Sequence, residues 1–81
     1  MVSCQLYDYI EIACMHKYRV KLYLKSGEEI SGVAVDTCID ENRQECLLLK
    51  AEAGEQLVVL DSLLKMDAKI KNPHFEQVQF N

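Results

Sequence analysis

The sequence lacks the features that mark several large classes of protein. It contains no tryptophan, one proline and three glycines among 81 residues. No stretch approaches the roughly 18 consecutive apolar residues that a membrane-spanning helix requires. The first residues show no basic segment followed by an apolar one, so no secretory signal is visible. We therefore expect a single cytoplasmic domain over residues 1–81 and no membrane association.

An excess of positive charge is also missing. Nine lysines and arginines stand against thirteen aspartates and glutamates, which gives a net charge of −4. A protein that binds nucleic acid unaided normally presents a basic surface, because contacts with phosphates supply most of its affinity. The composition therefore argues against direct nucleic-acid binding. It favours a basic partner, including a protein whose basic surface normally holds nucleic acid.

Metal-binding and catalytic patterns are absent as well. The four cysteines, Cys4, Cys14, Cys38 and Cys46, form no C-x-x-C pair, and Cys14 with His16 makes only half of a metal site. In a cytosolic chain we expect these cysteines to be free structural thiols. No nucleophile, base and orienting group stand in a recognisable pattern, so we predict neither an enzyme, nor a cofactor, nor a metal site.

Helical spacing is present near the N-terminus. Apolar residues recur every three or four positions between Leu6 and Cys14, which predicts a helix over about residues 7–16, after a frayed segment at residues 1–5. Asp8 and Glu11 are three residues apart and so lie on one face of this helix. Acids near a helix start often only complement the helix dipole and face water, so the spacing alone leaves their role open.

The rest of the chain consists of short runs of strand-forming residues. Apolar and polar residues alternate strictly over residues 20–25, and Gly32 stands where the apolar phase of the next run slips, which predicts a bulge or bend. Asp36 ends that run, and we expect it to bond the turn that follows. The predicted strands are approximately residues 20–25, 30–36, 45–52, 56–60, 64–71 and 76–80.

The same patterns predict how these strands are buried. The third strand is apolar on both faces, which favours a central position, and the fourth is apolar on both faces too. The fifth strand alternates and should bury Leu64, Met66, Ala68 and Ile70. The polar residues 38–44 form a predicted loop, which is either a solvated connection or the rim of a binding site.

One helix followed by five or six short antiparallel strands predicts a mostly β fold, a small barrel or sandwich in which the strands close on themselves. The element order and residues 27–36 resemble the Sm-like fold, whose first motif has a Gly…Gly…Asp pattern. The second Sm motif, which helps to bind RNA and closes the ring in true Sm proteins, has no counterpart here. A free-standing Sm-like RNA-binding module is therefore the alternative rather than the first expectation.

A second resemblance covers about residues 4–80. Residues 8–16 resemble the acidic-helix signature of the Rof family, the Rho-binding antiterminators of bacteria, and Ala-Cys-Met-His at residues 13–16 is its most specific part. Residues 25–28 are similar to the first hairpin of that family, and residues 45–49 are similar to its central strand.

The resemblance implies a function that composition does not. Members of the Rof family bind the N-terminal region of the hexameric terminator Rho, obstruct its primary RNA-binding surface and so reduce termination. It implies Rho contacts at Asp8 and Glu11, at Tyr7 in the matching aromatic position, and at Arg43 in the loop before the third strand. A compact acidic protein suits the positively charged groove of an RNA-binding OB-fold. We expect a monomer with Rho as its partner.

Overall fold

The structure is a computed structural model and describes residues 4–80. One helix comes first, α1 (Cys4–Met15). The strands that follow are β1 (Arg19–Leu24), β2 (Glu29–Ile39), β3 (Glu45–Ala51), β4 (Gly54–Val59), β5 (Leu63–Ala68) and β6 (Gln77–Gln79). A short 3-10 helix, Leu60–Ser62, separates β4 from β5. Within the described range, no helix is long and apolar enough to cross a membrane.

The helix begins three residues earlier than the sequence predicted. Cys4 and Gln5, which we expected to be frayed, are its first two residues. Leu6 packs against the core, and this hydrophobic contact holds the first turn in helical conformation. Residues 1–3, the rest of the segment that we expected to be frayed, lie outside the described part of the chain.

The six strands of residues 4–80 pair in antiparallel fashion in one sheet, with the spatial order β4-β3-β2-β1-β5-β6. Strands adjacent in sequence are adjacent in space except at one point, where β5 crosses over to pair with β1. This confirms the predicted mostly β class with one N-terminal helix. The described sheet is open, with β4 and β6 at its edges, and does not form the closed version of the predicted barrel.

The hydrophobic core lies between α1 and one face of the sheet. Ile10 and Ala13 of the helix are completely buried, and so are Val20 and Leu22 of β1 and Met66 of β5. The helix packs mainly over β2. The apolar face that the helical spacing predicted is therefore the face that contacts the sheet, and its rotation about the helix axis is fixed by this burial.

Gly32 allows a close approach between strands and does not form the predicted bulge. A Cβ atom at this position would lie 2.7 Å from the carbonyl oxygen of Lys50 and 2.9 Å from Cγ of Leu49. The bulge falls a few residues later, between Ala34 and Asp36, where the register of β2 against β3 shifts. The predicted position of the bulge was wrong because glycine in a strand serves close backbone contact as well as bulges.

β2 is also longer than predicted. Asp36 does not end the strand, since pairing with β3 continues through Ile39. Its carboxylate accepts a hydrogen bond from the backbone N–H of Thr37 at 2.8 Å, instead of bonding a turn after the strand. The predicted loop at residues 38–44 therefore shrinks to its last five residues. Pairing with a neighbouring strand has overridden the local preference of these polar residues.

Burial in the later strands differs from the prediction at several positions. β3 is internal as predicted, but β4 is an edge strand, and Leu57 is 48% exposed. Met66 of β5 is buried as expected, whereas Leu64 is 39% exposed and Ile70, beyond the end of the strand, is 52% exposed. The register of β5 against β1 shifts by one residue at this point. Leu63 therefore takes the buried position that the alternation assigned to Leu64.

Replacing Gly32 by alanine should destabilise the protein, because the added methyl group overlaps the Lys50 carbonyl oxygen and the Leu49 side chain. We expect the free energy of unfolding to fall by about 1–3 kcal/mol, the usual range for overpacking. Urea unfolding measures the change, with Ser31→Ala at the neighbouring exposed position as the control. Equal unfolding midpoints for the two variants would contradict the close approach.

Candidate protein-binding surface on the N-terminal helix

Asp8, Glu11 and Met15 form a stripe, named here the α1 stripe, on the side of the helix away from the core. Ile10 and Ala13 occupy the buried side, and 3.6 residues per turn place positions 8, 11 and 15 opposite them. Both acids are exposed, and Met15 is 73% exposed. The helix thus presents two carboxylates and one flexible apolar side chain to the solvent.

The position of Asp8 within α1 tests the alternative that the two acids only complement the helix dipole. Because the helix begins at Cys4, its first turn contains no acidic residue. The field of the helix dipole falls off within the first turn. Complementing the dipole therefore does not account for Asp8 and Glu11, which leaves their exposed charges available for a partner.

The C-terminal end of α1 is fixed by hydrogen bonds without a glycine. Lys17 adopts a left-handed φ of 51°, and its N–H donates to the carbonyl of Cys14 at 3.2 Å. The N–H of Tyr18 donates to the carbonyl of Ala13 at 2.9 Å, which completes a Schellman motif. The chain therefore leaves the helix in a defined direction, and Met15 and Lys17 lie beside β2.

A groove of about 390 Å³, named here the α1–β2 groove, lies between the end of the helix and the bulged part of β2. Glu11 comes to it from the helix and Asp36 from the strand, and both carboxylates belong to exposed residues. The residues that line the groove are Glu11, Cys14, Met15, Lys17, Val35, Asp36 and Thr37. Two acids and several apolar side chains in one groove are suited to a positively charged side chain with an aliphatic stem.

The charged residues of the α1–β2 groove act on the thiol of Cys14. Burial, and after it the negative charge of Asp36, raises the pKa of Cys14 to about 11, with a further contribution from Glu11. Lys17 acts in the opposite direction. The thiol is therefore protonated near neutral pH and is not a reactive nucleophile.

Tyr7 and Arg43, the other two predicted contacts, lie in different surroundings. Tyr7 is half-buried beside the α1 stripe and packs against the core, so it also supports the fold. Arg43 is exposed in the loop between β2 and β3, with a left-handed φ of 63°. That loop starts four residues beyond Asp36, about 13 Å along the strand. The structure thus brings Tyr7, Asp8 and Glu11 onto one element and places Arg43 outside it.

Sequence reasoning missed the role of Asp36 in this surface. Asp36 was expected to end a strand, and only the packing of α1 over β2 places it in the groove with Glu11. The spacing of Glu11 and Met15, four residues apart on a predicted helix, is the one local signal for the groove.

A cluster of rings joins the end of α1 to the segment before β6. The centroids of His16 and Tyr18 are 5.3 Å apart, and those of His16 and His74 are 5.2 Å apart, with the rings stacked in both pairs. Tyr9 meets Phe75 edge to face at 5.6 Å. His74 was predicted to be a turn residue and His16 to lack a catalytic role. Their observed contacts hold the helix end in place.

Comparisons with known proteins agree with one another. The family described as modulator of Rho-dependent transcription termination (ROF) matches residues 1–80. The proteins called rof from Escherichia coli strain K12 and Shigella flexneri are each 31% identical over 62 residues, which is 76% of this chain and 73% of theirs. The solved structure of magnesium-bound YaeO from Vibrio cholerae O395 is 44% identical with a TM-score of 0.89, and the match covers 93% of this chain and 97% of that one.

The solved Vibrio structure contains magnesium, which raises the question of a metal site in this chain. Among residues 4–80, no three His, Cys, Asp or Glu side chains are placed to hold one metal ion. The α1–β2 groove brings together Glu11 and Asp36, which are two carboxylates only. The described residues therefore do not fit a metal site built from three or more such ligands.

Alkylation of Cys14 tests the electrostatics of the groove. Because its pKa is raised to about 11, Cys14 should react slowly with iodoacetamide near pH 8, and its rate should rise up to about pH 11. Asp36→Asn removes a negative charge, so the pKa should fall and the reaction near pH 9 should become faster. Peptide mass mapping separates Cys14 from the exposed Cys4.

The matched control is Glu52→Gln, which removes one exposed charge from the turn between β3 and β4. It should leave the reaction rate of Cys14 unchanged. Identical rates for Asp36→Asn and the unaltered chain would show that the Asp36 carboxylate does not act on this thiol.

Proposed function

The chain belongs to the ROF family of modulators of Rho-dependent transcription termination, and we propose that it binds Rho itself and obstructs the access of RNA. This family regulates transcription and is not a family of enzymes. The proposed contact is the N-terminal RNA-binding region of Rho, and the consequence is reduced termination. The exposed surface formed by the α1 stripe and the α1–β2 groove carries the proposal.

Charge complementarity supports this partner. The chain has a net charge of −4, and Asp8 and Glu11 project from a helix whose other face is locked in the core. A surface that grips RNA is positively charged because it must neutralise phosphates. Acids held at fixed positions on a rigid helix would steer the encounter with such a surface and would compete with RNA for it.

The α1–β2 groove offers a site for one basic side chain of the partner. Glu11 and Asp36 supply carboxylates from two sides, and an arginine between them would form charge-assisted hydrogen bonds. Met15 and Val35 would contact its aliphatic stem. Since Met15 is exposed to 73% in the free chain, its burial in a complex would add apolar contact to the electrostatic attraction.

Tyr7 and Arg43 are the other two residues of the proposed interface. Tyr7 is half-buried, so the exposed part of its ring can add contact area without a large loss of side-chain entropy. The loop that carries Arg43 is shaped by Asp40, whose Oδ1 accepts hydrogen bonds from the N–H groups of Asn42 and Gln44 at 2.9 and 2.8 Å. Arg43 is thus presented by an ordered turn and would meet an acidic or polar group of Rho.

The alternative, direct RNA binding by an Sm-like module, finds less support on the outer face of the sheet. Tyr23 lies there between two cations, with its ring centroid 4.4 Å from Nζ of Lys65 and 5.2 Å from Nζ of Lys21. Nζ of Lys21 forms a salt bridge with Oε1 of Glu29 at 2.9 Å. The Tyr23 hydroxyl donates a hydrogen bond to Oδ2 of Asp67 at 3.1 Å. The Tyr23 hydroxyl and Lys21 already have partners within the chain, and two ammonium groups lie at the Tyr23 ring, so this ring is not a free platform for stacking a base.

Calorimetric titration of Rho with the chain tests the proposal. Reversing two charges of the stripe with Asp8→Lys and Glu11→Lys should raise the Kd at least about tenfold, which corresponds to a loss of about 1.4 kcal/mol in binding free energy. Raising the salt concentration should weaken binding of the unaltered chain, because the contact is between opposite charges. The matched control, Glu28→Lys with Glu52→Lys, reverses the charges of two exposed acids at hairpin turns. It changes the net charge by the same amount as the stripe variant.

The outcomes separate the partner from the site. No heat of binding for the unaltered chain would refute Rho as a direct partner. Equal weakening by the stripe variant and the turn variant would show that net charge alone acts and that the α1 stripe is not the contact. Circular dichroism confirms that each variant is folded, since both pairs of substitutions are at exposed positions.

A further inference from the structure

Two cysteines lie opposite each other on neighbouring strands of the sheet. Cys38 of β2 and Cys46 of β3 are direct partners in the antiparallel register. Directly opposed residues project from the same face of a sheet, so the two thiols are neighbours. Both are free thiols, and Cys38 is half-buried while Cys46 is fully buried. This pairing exists because β2 continues to Ile39 instead of ending before Cys38.

The backbone spacing of this pair fits a disulfide bond. The N–H of Asp40 donates to the carbonyl of Gln44 at 3.0 Å, so the alternation along the strands makes Cys38 and Cys46 a hydrogen-bonded pair as well. The Cα atoms of such a pair lie about 5.5 Å apart, within the range of about 4.4–6.8 Å that disulfides span. The Cβ atoms lie about 5 Å apart, which is roughly 1 Å more than a relaxed disulfide has.

We propose that Cys38 and Cys46 form a reversible thiol–disulfide site whose reagents are small disulfides and thiols such as oxidised and reduced glutathione. The Cys38 thiolate first attacks oxidised glutathione, which forms a mixed disulfide and releases one glutathione thiolate. The Cys46 thiolate then attacks the Cys38 sulfur and expels the second glutathione. Two electrons and two protons pass from the protein to oxidised glutathione, which becomes two molecules of reduced glutathione, and one S–S bond replaces another.

The surroundings of the two sulfurs set this order of attack. Cys38 is the thiol that solvent reaches. Cys46 is completely buried, and its Sγ donates a weak hydrogen bond to the carbonyl of Gln44 at 3.5 Å. Burial first, and then the negative charge of Asp40, raises the pKa of Cys46. A buried thiol of this kind reacts slowly with a reagent in solution but is well placed to attack the adjacent Cys38 sulfur.

The remaining cysteines do not form such a pair with each other. Cys4 and Cys14 are ten residues apart on α1, so about 15 Å separates them along the helix axis.

Bridging Cys38 and Cys46 draws β2 and β3 together at the base of the loop that carries Arg43. Because the native Cβ spacing is wider than a relaxed bond prefers, the disulfide should be easily reduced. The site does not depend on Rho binding.

The test uses the full chain with Cys4→Ser and Cys14→Ser, which leaves only the proposed pair. Treatment with oxidised glutathione under native conditions should lower the titratable thiols from two to none and the mass by about 2 Da, with no glutathione retained. Dithiothreitol should restore both thiols. In the matched control, Cys38→Ser with Cys46→Ser, any oxidation should add glutathione to Cys4 or Cys14 without forming an internal bond.

Three results would overturn the proposal. Glutathione could remain attached to each cysteine, both thiols could stay free, or the bond could form only in urea that unfolds the chain. Peptide mapping of the oxidised unaltered chain serves as a second measurement that needs no substitution. It should recover one linked peptide that contains both Cys38 and Cys46, and linkage of either cysteine to another partner would contradict the site.

Discussion

The burial of Ile10 and Ala13 against the sheet is the contact on which the rest of the surface depends. A twelve-residue helix is marginally stable in water by itself, so its structure comes from packing. Burial of one isoleucine side chain contributes about 1.5–3 kcal/mol. Because these two residues fix the rotation of α1, Asp8 and Glu11 must face the solvent. The ring contact of Tyr9 with Phe75 holds the middle of the helix, and that of His16 with His74 holds its C-terminal end.

The bulge in β2 is the second constraint, because it decides which way Asp36 faces. Ala34 is paired with the buried Leu49, and after the bulge Asp36 is paired with the half-buried Leu48. Without the extra residue, Asp36 would stand opposite Leu47, which is completely buried. A shift of one residue exchanges the two faces of a strand. The bulge therefore moves a carboxylate from the core side to the exposed groove beside Glu11.

Sequence patterns predicted the features that depend on local periodicity. The apolar face of α1, the exposure of Asp8 and Glu11 and the internal position of β3 all follow from the spacing of side chains. The misplaced features depend on register, which spacing along one strand does not determine. Leu63 replaced Leu64 in the core, and Asp36 moved into the groove, each at a one-residue shift between paired strands.

The pairing of Cys38 with Cys46 is likewise not predictable from spacing along the sequence. Cys38 lies in a polar stretch that is typical of a loop, and no spacing rule connects it with Cys46. Its position in β2 follows only from pairing with β3. The candidate surface is therefore predictable where one helix presents it, at Asp8 and Glu11, and unpredictable where a second element completes it.

The proposed function requires that this chain and RNA compete for one surface of Rho. The most direct measurement is the fluorescence anisotropy of a labelled single-stranded RNA bound to Rho during titration with the chain. We expect a complete loss of the bound signal, at chain concentrations that increase in proportion to the RNA present. We expect no change in anisotropy when the chain is added to RNA without Rho. RNA that stays bound to Rho saturated with the chain would contradict the proposed function.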